Sequence, residues 1–97
     1  KTNNRILTQS KVPNSALRRF HEQMQKKAIE SLSTQTPEEK FVGSETFAFD
    51  EKQLKEASEI IEECFSKIVR LSESKKTKKA VYHLGIQLFR LTQKEKL

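Results

Sequence analysis

Apolar residues recur along this chain at spacings of three and four, which is the period of one face of a helix. Leu17, Phe20, Met24, Ala28 and Leu32 form the first such face. Asn14 or Ser15 stands just before it, where a side-chain oxygen accepts from the free amides of a first turn. The pattern predicts a helix from 14 or 15 to about 32. The second face is wider. Leu54, Ala57, Ile61, Cys64, Ile68 and Leu71 recur at three and four, and Ile60, Phe65 and Val69 broaden the stripe to roughly half the circumference at about 100° per residue. Asp50 is its expected cap and Gln53 the third-position partner of a capping box. Phe49 and Leu54 flank the cap as a hydrophobic staple. Glutamates gather towards the start of this helix, and Lys67 and Arg70 lie near its end, as the dipole favours.

Two further helices are expected. Thr36-Pro37-Glu38-Glu39 reads as a capped start, with Pro37 at the first helical position and Glu39 reaching back to the cap amide. Gly43 is its expected stop, giving a helix of one or two turns in the 36–43 linker. Phe41, Val42, Phe47 and Phe49 make that linker a strap expected to close one end of a bundle. A third main helix is expected from near Thr77 to about Gln93, with Val81, Leu84, Leu88 and Leu91 on one stripe and Tyr82, Ile86 and Phe89 on a second. Together these cover more than half the circle. The sequence-based fold is therefore all-α: a small antiparallel bundle of three main helices plus one short helix. A disordered arm is expected over 1–13 and a single domain over 14–97.

Composition narrows the class. With 97 residues, 34% apolar and 33% charged, the chain is one small domain with a solvated surface. Two Gly and two Pro are too few for a turn-rich β protein. Cys64 is the lone cysteine, so no internal disulfide forms, which fits a reducing compartment. No apolar run is long enough to span a membrane. The chain opens on Lys1, which reads as a piece of something longer or a processed product. The expected setting is intracellular, the nucleus over the cytoplasm.

Charge is blocked along the chain. Residues 1–33 carry seven Lys/Arg against two Glu, 34–73 five against ten acidic residues, and 74–97 seven against Glu95 alone. An acidic middle between basic ends lets packed helices face unlike charges and leaves a net +6. That surplus either attracts an anionic partner or serves solubility.

No catalytic constellation is visible, so no enzyme is expected, and no cofactor or metal. His21 and His83 lack metal-ligand spacing to each other and to Cys64, and read as boundary and surface residues. Cys64, in mid-stripe, reads as a small buried hydrophobe. Glu62 and Glu63 are adjacent and point apart, unlike a general acid/base pair.

Two candidate sites remain. Lys75, Lys76, Lys78 and Lys79 fall at the expected start of the third helix, where the dipole disfavours cations, so a bound phosphate or acidic group would offset the cost. The competing readings are a solvated or internally paired loop and a localisation signal. No aromatic interleaves with these lysines, which argues against stacking on a single strand. The second candidate is a groove formed by Tyr82, Gly85, Ile86 and Phe89, taking an amphipathic or acidic helix of a protein partner. Its competing reading is a satisfied core. Thr36-Pro37 also fits a proline-directed phosphorylation site. The expectation is a non-catalytic protein–protein interaction module of a larger regulatory protein, with a small nucleic-acid-binding domain using the lysines as the alternative. No membrane and no small-molecule substrate are expected.

Overall fold

The computed structural model describes residues 14–93. All regular secondary structure among them is helical, in two main helices rather than three. The expected arm over 1–13 lies outside the described residues.

The first helix, α1, spans Ser15–Thr34. Asn14 caps it, its Oδ1 accepting from the Leu17 amide at 2.9 Å. No basic residue stands in its last turn. Lys40 supplies one from outside. Its Nζ donates to the carbonyls of Ser31, Leu32 and Gln35 at 2.8, 3.1 and 2.6 Å. The Ser31 carbonyl also accepts from the Gln35 amide, so the cation shares that acceptor and satisfies the other two at the negative end of the dipole.

The capped start at Thr36 forms as read, with the Thr36 amide donating to Glu39 Oε1 at 2.8 Å. It closes a single turn over residues 37–39 and goes no further, so the short helix of the 36–43 linker is not there. Lys40 is drawn back onto α1, and aromatic, β-branched and glycine residues follow at Phe41, Val42 and Gly43. Residues 40–50 then run without regular structure.

Asp50 begins the next element as expected. Its Oδ1 accepts from the Lys52 amide at 3.0 Å. The first turn, Glu51–Gln53, is a 3-10 turn, and α2 follows over Leu54–Ser72. The Gln53 half of the capping box is not made, because no side-chain cap bond forms there. Phe49 meets Phe47 edge to face, ring centroids 5.7 Å apart.

The third helix is absent. Residues 75–93 hold no helical turn. The apolar arc that exceeded half a circle was the sign of a wrong period. Tyr82, Leu84, Ile86 and Leu88 alternate with His83, Gly85 and Gln87, which is a period of two. Gly85 in mid-segment and the β-branched Val81 and Ile86 lower helix propensity further.

Nor do the two helices pack on each other among the described residues, so the antiparallel bundle is not formed. The radius of gyration is 15.9 Å, against about 12–13 Å for a compact chain of this size. No described side chain is fully buried. Ile61, Phe65 and Leu88 are half-buried, while Ile68 and Leu84, from the same apolar stripes, are exposed. Among the described residues, side chains of Tyr82, His83 and Arg90 tie the last segment in place. Tyr82 Oη donates to the Glu39 carbonyl at 2.7 Å. The His83 ring meets Phe20 of α1 edge-on, centroids 5.9 Å apart. Arg90 pairs with Glu51.

Candidate functional site

The residues expected to line a groove come from one irregular segment, and no helix carries them. Tyr82 is 72% exposed and Phe89 70%. Ile86 is less open, and Gly85 lies between His83 and Gln87. Loss of the helix removes the shared face that grouped Tyr82, Ile86 and Phe89. By a period of two, Phe89 falls on the opposite side from the other two. Neither the Tyr82 nor the Phe89 ring stacks on another aromatic ring among the described residues.

The open apolar surface lies instead on α2. Ile60, Cys64 and Ile68 recur at four along one face and, with Glu63 and Lys67, line a shallow depression. Leu71 extends the stripe by one turn and is 70% exposed. Cys64 is exposed, which corrects its reading as a buried hydrophobe. Glu63 and Lys67 make an i,i+4 ion pair at 3.9 Å on the rim. Both are well solvated, so the pair contributes little stability. The sequence held this signal in the width of the α2 stripe. In a three-helix bundle this stripe would be core; with no third helix to cover it, it stays open.

Lys75, Lys76, Lys78 and Lys79 are exposed and make no ion pair among the described residues, so they do not pair internally with the acidic α2. They do not open a helix. They follow the C-terminus of α2, which ends at Ser72. That is the negative end of the dipole, where cations are favoured. The electrostatic cost that called for a bound anion therefore vanishes.

A family profile matches residues 1–91. The chain belongs to DUF4423, a domain of unknown function. No curated protein and no solved structure matches the chain. Membership of DUF4423 thus fixes kinship and leaves function to the side chains. Among its described residues no cluster of three His, Cys, Asp or Glu side chains gathers that would hold a metal ion. No described helix is long and apolar enough to cross a membrane. His83 turns its ring to Phe20, so this histidine joins two segments of the domain.

Proposed function

We propose that this chain is a non-catalytic protein–protein interaction module, docking an amphipathic helical or acidic segment of a partner within a larger intracellular, nuclear regulatory protein. The observation that carries the reading is the uncovered stripe of α2. Ile60 is 61% exposed and Leu71 70%, in a helix whose polar and apolar residues are sharply sorted. Contiguous apolar surface of this kind is characteristic of binding sites. Helix-in-groove recognition uses anchors at this spacing. The net charge of +6 favours an acidic partner and speeds its approach. Tyr82 and Phe89, the more open of the groove residues on the last segment, offer further contacts from separate sides.

The alternative, nucleic-acid binding through Lys75, Lys76, Lys78 and Lys79, rests on their exposure and freedom from internal ion pairs. It is the weaker reading, because the lysines are already well placed beyond the end of α2. One experiment separates the two. Acidic amphipathic peptides, duplex DNA and RNA are titrated against the chain at several salt concentrations. The interaction reading expects peptide binding that Ile68→Asp removes and that neutralising the four lysines slows only at association. Duplex or RNA binding that falls steeply with salt, with no peptide bound, overturns it.

A further inference from the structure

Two segments outside the helices share one geometry. A Cβ built on Gly85 would meet the side chains of His83 at 3.3 Å and Gln87 at 3.9 Å, its neighbours two before and two after. A Cβ built on Gly43 would meet the ring of Phe41 at 3.0 Å. The rings of Phe47 and Phe49 meet at 5.7 Å. Side chains two apart share a side only on a pleated backbone; on a helix they diverge by about 200°. Exposure follows the same parity. Leu84 and Ile86 are 41% and 42% exposed and Leu88 is half-buried, whereas Val81, Phe89 and Leu91 are 70% exposed or more. Tyr82, at the start of the run, departs from this parity at its ring and is held by its hydroxyl instead.

Direction is fixed by two anchors. Tyr82 binds Glu39, and Arg90 pairs with Glu51. The later residue of one segment meets the later residue of the other, so the two run parallel. Parallel strands require a crossover of a dozen or more residues, usually a helix. Residues 51–72, the 3-10 turn and α2, are that connection. At about 1.5 Å per residue the 19 residues of α2 span about 28 Å, close to the length of an eight- or nine-residue strand. Among the described residues neither segment yet makes a backbone–backbone hydrogen bond to the other. Their amides and carbonyls are open to water, and in apolar, β-branched segments a ladder would pair them with each other in place of that water.

We propose that residues 41–49 and 80–90 are a parallel strand pair with α2 as its crossover, tied by a side-chain anchor beyond each end of 41–49 and poised to close its backbone ladder. The last segment is then a strap that zips along 41–49, with His83 turned to α1 on one pleat and Leu84, Ile86 and Leu88 on the other.

The test combines cross-linking with hydrogen exchange on the full chain, in a Cys64→Ser background. The pairs Val42→Cys with His83→Cys, and Ala48→Cys with Phe89→Cys, are expected to form intramolecular disulfides on mild oxidation. Val42→Cys with Phe89→Cys is expected not to, because the Cα atoms of a bridged pair lie within about 7 Å. Amides in both segments are expected to exchange on the order of tenfold or more slowly than in an unstructured peptide. Leu84→Pro should release that protection in both segments while the helical circular dichroism is kept. The reverse cross-linking pattern, equal cross-linking of all three pairs, or coil-like exchange in both segments of the unsubstituted chain overturns the proposal.

Discussion

The phenol of Tyr82 donates to the carbonyl of Glu39 at 2.7 Å, across 43 residues of chain. Glu39 also receives the Thr36 amide on its side chain, so one residue closes a local turn and receives a distant segment. A neutral hydrogen bond contributes about 0.5–1.5 kcal/mol net, and one this open to water belongs at the low end. Tyr82→Phe keeps the ring and removes the donor. With the strand pair closed as proposed, amide exchange over residues 80–84 is expected to quicken, with α1 and α2 unchanged. Exchange equal to that of the unsubstituted chain would show that the bond does not hold the segment.

Lys40 is the cap of α1 that sits outside α1. Two of its three bonds go to the carbonyls of Leu32 and Gln35, and the third shares the Ser31 carbonyl, which also accepts from the Gln35 amide. Lys40→Met keeps the stem and removes the charge. The end of α1 is expected to fray, with faster exchange from 31 to 35, at a cost of about 1 kcal/mol. Lys40→Arg is expected to restore part of the protection, since it keeps the charge and the donors.

Asp50 accepts from the Lys52 amide and starts the run into α2. Asp50→Ala is expected to destabilise this start by about 1 kcal/mol, and Asp50→Asn by much less. The readout is amide exchange over 52–55. Asn14→Ala at the head of α1 is expected to behave in the same way over 16–18, because Asn14 plays the same part there.

Both helices were legible because several independent local signals agreed at their ends. Asn14 and Asp50 cap as their chemistry demands, and the apolar stripes between them have one period. The third helix was misread because residues 80–91 are so apolar that they satisfy a loose period of 3.6 as well as a period of two. Gly85 and the polar His83 and Gln87 between Leu84, Ile86 and Leu88 carried the distinction. Lys40 was not legible at all, since a lysine beyond a helix end reaches back by tertiary geometry that no local spacing encodes. Once the segment has no helical face, Tyr82, Ile86 and Phe89 no longer share one side, while Ile60, Cys64 and Ile68 on α2 keep theirs.

The last prediction concerns the lysines beyond α2. If they stand where the dipole of α2 favours them, they steady the helix end without any ligand. Lys75→Glu with Lys76→Glu then places like charge against the negative pole, beside Glu73. Amides from 69 to 74 are expected to exchange faster in the double variant at low salt. The effect should fade as salt rises, because the groups are exposed and the screening length falls to about 3 Å at 1 M. Lys78→Glu with Lys79→Glu, one turn's length further from the pole, is expected to do less. Equal effects from the two pairs would show that the dipole is not what the lysines answer to, and would return the cluster to the anion-binding reading.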